Sequence, residues 1–161
     1  MGSGKTHWGK LLSDKLAIPF FDLDEEVVNH AGKSIVSIFA EHGEETFRSI
    51  EKEVLEKITT DHTKFIVACG GGTPCYFSNI DFMNLHGTTV WINTPIDILF
   101  ERLISQKDNR PLIKDLSDEQ LKNFISKKFA DRKMYYDQAS VTVDEEPVRL
   151  EHLIETILHA E

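Results

Sequence analysis

Gly2-Ser3-Gly4-Lys5-Thr6 opens the chain. It matches the second half of a phosphate-cradling pattern, glycine, four residues, then Gly-Lys-Ser/Thr. Successive backbone N–H groups from Gly2 to Thr6 can wrap a phosphate, and a helix starting there points its positive end at the same place. Lys5 then reaches the β- and γ-phosphates of a nucleoside triphosphate, and the Thr6 hydroxyl ligates Mg²⁺. The blander reading is a flexible glycine-containing terminus; the helical pattern that follows at once favours the loop. Counting back from Gly4, the first glycine of the pattern falls two residues before Met1, and the strand that feeds such a loop falls earlier still. The expectation is therefore that Met1 is an internal methionine of a natural chain about ten residues longer, the length of a strand and a glycine.

The rest of the chain sets the bounds. Its 161 residues make one domain with room for a core. A net charge of −9 argues against a general binder of nucleic-acid backbones, which needs a basic face. Two cysteines without a signal peptide fit a reduced, cytoplasmic setting. No apolar run approaches the roughly 20 residues that span a membrane. The seven histidines are scattered without ligand spacing, so no zinc site is expected.

Helix and strand patterns alternate. Helices are expected over 6–16, 34–42, 44–59 and 117–138, the third with Phe47, Ile50, Val54, Leu55 and Ile58 as an apolar stripe at helical spacing, and an amphipathic one carrying Leu150, Leu153, Ile154, Ile157 and Leu158 is expected at the end. Strands are expected over 19–22, 64–69, 88–92 and 141–143. Pro95 suits a first helical turn with Thr94 as its cap. Strands separated by helices imply a parallel sheet covered on both faces, with ligands at the carboxyl ends of the strands.

Chemistry-bearing residues fall at those ends. Asp22 and Asp24, two apart in extended chain, would point into one cleft, one near Mg²⁺ and one beside a substrate hydroxyl; the alternative is a helix cap. Arg48 and Glu51 share a helix face, either as a surface ion pair or with Arg48 forking a substrate carboxylate. Gly70-Gly71-Gly72 ends an apolar strand, and three glycines suggest a ligand lying on the backbone. Arg110 sits in a polar stretch suited to a mobile lid, and Arg132 continues the apolar stripe of Leu121, Ile125 and Phe129. An ordinary loop arginine and a snorkelling side chain are the bland alternatives. Cys69 reads as a small buried filler.

Taken in order, Gly2–Thr6, Phe21–Asp24, Phe47–Glu51, Cys69–Thr73, Asn109–Leu112 and Arg132–Ala139 resemble shikimate kinase over nearly the whole chain. The resemblance implies a three-layer α/β/α P-loop kinase fold with a parallel sheet, five-stranded in the family and four-stranded here because the first strand is absent. It implies one domain over 1–161, with substrate-binding helices about 24–60 and a lid about 105–117. It implies transfer of the γ-phosphate of ATP to the 3-hydroxyl of shikimate, on the route to chorismate and the aromatic amino acids, with Mg²⁺ as cofactor. By motif match, Gly2, Ser3, Gly4, Lys5 and Thr6 serve the phosphates, and Thr6 and Asp22 the metal. Asp24 is the candidate base and shikimate contact, Arg48 and Arg132 hold the shikimate carboxylate, and Gly71 contributes a backbone contact. Arg110 is the lid arginine that reaches ATP, and Arg102 and Pro147 neighbour the adenine. ATP and shikimate are the expected partners, with no nucleic acid, no membrane and a monomeric state. A related gluconate-type kinase and a non-catalytic nucleotide-binding remnant remain as alternatives. The absent strand would be central, so its loss would leave sheet edges unpaired.

Overall fold

The computed structural model describes residues 2–107 and 112–160. The chain divides into two compact units, Lys5–Gly87 and Met1–Gly4 with Thr88–Glu161.

In the unit Lys5–Gly87, helix α1 (Lys5–Leu16) leads to strand β1 (Phe20–Asp22), helix α2 (Leu23–Ala31), helix α3 (Ile35–Asp61), strand β2 (Ile66–Ala68), a short 3₁₀ turn (Thr73–Cys75) and helix α4 (Asn79–His86). Strands β1 and β2 run parallel, pairing Phe20 with Ile66, Phe21 with Val67 and Asp22 with Ala68. The expected helices over 34–42 and 44–59 are both present inside α3, broken at Gly43, whose φ of 80° only glycine adopts readily. Ser34 caps the start of α3, accepting from the N–H of Ser37. The anticipated stripe is the core: Phe47, Val54, Leu55 and Ile58 are buried with Leu23, Val27 and Ile38, and Ile50 packs against them. Two helices had no apolar stripe assigned to them in the sequence, although the first falls within the substrate-binding helices expected over about 24–60. Helix α2 starts immediately at the strand end and stops at Gly32, in the left-handed region. Helix α4 carries only a weak apolar stripe, with Leu85 exposed.

The second unit pairs strand β3 (Val90–Ile92) with β4 (Val141–Val143), again parallel, with Trp91 opposite Thr142. Helix α5 (Ile96–Ile104), helix α6 (Asp118–Tyr136) and helix α7 (Leu150–Leu158) complete it. A reciprocal capping box of Ser117 and Gln120 starts α6. Leu99, Leu103, Ile113, Leu121 and Ile125 form its core. One local expectation is corrected. Pro95, not Thr94, occupies the cap position of α5, in extended conformation with no side-chain cap. The Thr94 hydroxyl is buried and finds no hydrogen-bond partner among the described residues.

Among the described residues all four strands therefore sit in parallel pairs, and no helix is long and apolar enough to cross a membrane. The close approach of α1 to β1 depends on one glycine. A Cβ on Gly9 would lie 2.5 Å from Phe20 Cε2. Gly9→Ala should lower the unfolding free energy by about 1 kcal/mol, because overpacking outweighs the gain in helix propensity. Urea denaturation checks this; a more stable variant would mean the Phe20 ring moves aside freely.

Candidate active site

The loop ahead of α1 has the backbone its glycines foretell. Gly2 and Gly4 have φ of 76° and 85°, which residues with a Cβ rarely adopt. Lys5 and Thr6 are the first residues of α1, so the N-terminal N–H groups of that helix open beside the loop.

Strand β1 ends at Asp22 and the chain turns at once into α2. Of the two readings the sequence left open for Asp22 and Asp24, the extended pair is corrected and the helix cap holds: Asp22 is the N-cap of α2, in extended conformation, and Asp24 lies in the first helical turn. The two carboxyls are related by the cap. Asp22 Oδ1 accepts from the N–H of Asp24 at 3.1 Å, and Asp22 Oδ2 accepts from the Thr6 hydroxyl at 2.8 Å. A buried carboxylate and a hydroxyl thus stand together at the start of α1. Asp24 makes a different kind of group. Burial raises its carboxyl above the usual carboxylate range, and Asp22 adds to the rise; the Lys5 ammonium and then Arg48 oppose it without cancelling it.

Arg48 and Glu51 are not a surface pair. Glu51 is 1% exposed and Arg48 is nearly as buried. Arg48 Nη1 donates to Glu51 Oε2 at 2.8 Å. Its Nη2 and Nε both donate to Glu44 Oε1, at 3.2 and 3.3 Å, and the Tyr76 hydroxyl donates to the same oxygen at 3.0 Å. The guanidinium carbon lies 4.9 Å from the centre of the Phe47 ring and 4.5 Å from that of Tyr76. Burial disfavours the cation, but the hydrogen bonds and charges of Glu51 and Glu44 more than offset it, and Arg48 titrates above its ordinary value.

The glycine run has occupants of its own. A Cβ on Gly70 would stand 3.2 Å from Glu51 Oε1 and from Thr73 Oγ1, and 3.5 Å from Asp24 Oδ1. A Cβ on Gly72 would stand 2.5 Å from Arg48 Nη2. The protein's own charged side chains therefore account for two of the three glycines. The same crowding of carboxylates, after burial itself, pushes the Cys69 thiol up to about 12, which keeps it a thiol.

In the other unit Arg102 joins the loop to the segment before Pro147. Its Nη1 donates to the Gly2 carbonyl at 3.3 Å and its Nη2 to Glu146 Oε1 at 2.8 Å. Arg102 and the neighbourhood of Pro147 thus come together within that unit, as the sequence reading grouped them. Arg132 is half-buried on α6, one turn beyond Phe129, whose ring lies 6.1 Å from that of Trp91. Arg110 lies outside the described residues. Glu44, Thr73, Tyr76 and Asn79 escaped the sequence reading. The only signal for Thr73 was its place directly after the glycines, and none marked the others.

Comparison with known proteins bears on the whole set. The sequence profile of the family described as shikimate kinase matches residues 1–160. The shikimate kinase of Azobacteroides pseudotrichonymphae genomovar. CFP2 is 42% identical, over 98% of this chain and 93% of its own. That of Parabacteroides distasonis is 38% identical, over 99% of this chain and 92% of its own. The crystal structure of shikimate kinase from Bacteroides thetaiotaomicron superposes with a TM-score of 0.89 at 35% identity, covering 96% of this chain and 92% of that one. The shikimate kinase from Acinetobacter baumannii, solved in complex with shikimate, gives a TM-score of 0.83 at 31% identity, covering 99% and 87%. The chain belongs to the shikimate kinase family, ATP-dependent phosphotransferases with the three-layer α/β/α P-loop kinase fold.

Proposed function

We propose that this family member moves the γ-phosphate of ATP onto the 3-hydroxyl of shikimate with Asp24 as the proton acceptor and Arg48 as the anchor of the substrate carboxylate. One observation carries the assignment. A single glycine run has the Asp24 carboxylate against Gly70 and the Arg48 guanidinium against Gly72. A base for a hydroxyl and a cation for a carboxylate thus lie along one short stretch of backbone. Shikimate presents those two groups on one small ring.

In the reaction Asp24 takes the proton of the 3-hydroxyl as that oxygen bonds to the γ-phosphorus, and the bond to the β–γ bridging oxygen breaks to release ADP. A carboxyl raised by burial is the better proton acceptor for this. Lys5, with the N–H groups from Gly2 to Thr6, neutralises the transferring phosphate. Thr6 and Asp22 would hold Mg²⁺. A hydroxyl and one carboxylate oxygen, already 2.8 Å apart, suit a hard cation that takes its remaining ligands from phosphates and water. Bound there, the ion would screen phosphate charge. Arg132 supplies a second cation for the carboxylate, Gly71 a backbone contact, Arg102 and Pro147 the surroundings of the adenine, and Arg110 a lid contact to ATP. The two units act as one domain over 1–161, with a lid about 105–117, in a cytoplasmic monomer. The net charge of −9 favours small-molecule partners held by local arginines over nucleic acid.

ADP release with Mg·ATP should depend on shikimate; turnover that is indifferent to shikimate but rises with another polyol would overturn the substrate assignment. Asp24→Asn should lower kcat by roughly 10²–10⁴. Arg48→Lys, which keeps the buried charge but loses the fork, should raise the KM for shikimate about tenfold with kcat within about threefold. Losses divided equally between kcat and KM in both variants would contradict this division of roles. The Asp24 shift also fixes a sign. Its folded-state pKa lies above its unfolded value, so ionised Asp24 costs stability above the folded pKa, and that cost vanishes as pH falls through it. Asp24→Asn should therefore be more stable than the wild type at neutral pH, and the advantage should shrink in acid. Over the same fall in pH wild-type turnover should be lost. Thermal melts and kcat profiles between acid and neutral pH measure both.

A further inference from the structure

The buried end of the Arg48 array lies beyond the residues expected to touch ligand. Glu51 Oε2 accepts from Arg48 at 2.8 Å, and its other oxygen, Oε1, accepts from the Thr73 hydroxyl at 2.6 Å. Thr73 is fully buried, and its own backbone is pinned twice. Its N–H donates to the Gly70 carbonyl at 3.0 Å, and Asn79 Nδ2, itself 1% exposed, donates to its carbonyl at 2.9 Å. The hydroxyl is thus held in place by the first turn of α4 and by the glycine run, and it presents a fixed donor to one oxygen of a buried carboxylate.

We infer that Thr73 is a positioning residue: by fixing the rotation of the Glu51 carboxylate it sets the plane of the Arg48 guanidinium and so the affinity for the substrate carboxylate. The reasoning is geometric. A carboxylate oxygen with no water and no donor turns toward whatever N–H is nearest, and the cation Glu51 already touches is Arg48. With Thr73 donating to Oε1, Glu51 takes Nη1 through Oε2 alone, and Nη2 lies over Gly72, where it donates to Glu44 Oε1. Without the hydroxyl, Oε1 competes for the same guanidinium and draws it toward α3. This deepens the proposed role of Arg48 and rests on it.

Thr73→Val, Thr73→Ala and Thr73→Ser separate the hydroxyl from the volume of the side chain. Val keeps the branched shape and lacks the donor, Ala lacks both, and Ser keeps the donor alone. Val and Ala should each raise the shikimate KM about tenfold, with kcat and the KM for ATP changing less than about threefold, while Ser stays near the wild type. If Val does not fold, Ala against Ser makes the same comparison. Ser and Ala behaving alike, with Val near the wild type, would mean that volume matters and not the hydroxyl, and would overturn the inference. So would a fall in kcat with KM unchanged. Wild-type protein that turns over shikimate while all three variants match it refutes the role of Thr73 and leaves that of Arg48 standing. Folded wild-type protein without shikimate-dependent turnover refutes both.

Discussion

A guanidinium and a carboxylate buried on the same helix lose their water together, and the loss is tolerable only if every remaining donor and acceptor finds a partner. Arg48 and Glu51 find partners both along α3 and from residues distant in sequence. Glu51 is completed by Thr73, and Arg48 by Glu44, by the rings of Phe47 and Tyr76, and by a glycine that yields it space. The arrangement explains why β2 ends in glycines. A side chain at 72 would strike the guanidinium, and one at 70 would crowd Glu51, Thr73 and Asp24. The strand end, the 3₁₀ turn and the first turn of α4 are shaped around one buried ion pair on α3.

The same economy holds at the end of β1. Asp22 stops the strand, caps α2 and accepts from Thr6 with the oxygen the cap leaves over. One carboxylate thereby ties the start of α1 to the start of α2. Asp24 follows two residues later with a carboxyl whose proton is held more tightly by burial than by any partner. Two aspartates acquire different surroundings because one is tied by hydrogen bonds to Thr6 and to the backbone of α2, while burial raises the carboxyl of the other.

Much of this was legible in the sequence, and the parts that were not share a cause. The glycine loop, the four strands, the break at Gly43 and the core stripe of α3 are local patterns, and each appeared where its spacing placed it. Asp22 and Asp24 were open between an extended pair and a helix cap, and only the start of α2 at Leu23 decides for the cap, since extended-chain spacing cannot see it. For Arg48 and Glu51 the sequence left a surface pair and a fork on a substrate carboxylate both open, because turn spacing alone does not tell them apart; the glycine run and the Thr73 hydroxyl at Glu51 reveal the burial. Thr73, Tyr76 and Asn79 contribute through contacts that cross from one element to another, and no periodicity encodes those. The glycine run was read as the seat of a ligand on the backbone, and what approaches Gly70 and Gly72 is protein.

The most direct test compares the binding of shikimate with that of its methyl ester, which keeps the ring and hydroxyls but carries no carboxylate charge. Calorimetric titration of the wild-type protein should show the ester binding weaker by about thirtyfold or more, the scale of a partly buried charge pair left incomplete, and Arg48→Lys should narrow that gap. Equal affinity for acid and ester would contradict the account, because the buried array around Arg48 would then be serving the fold alone.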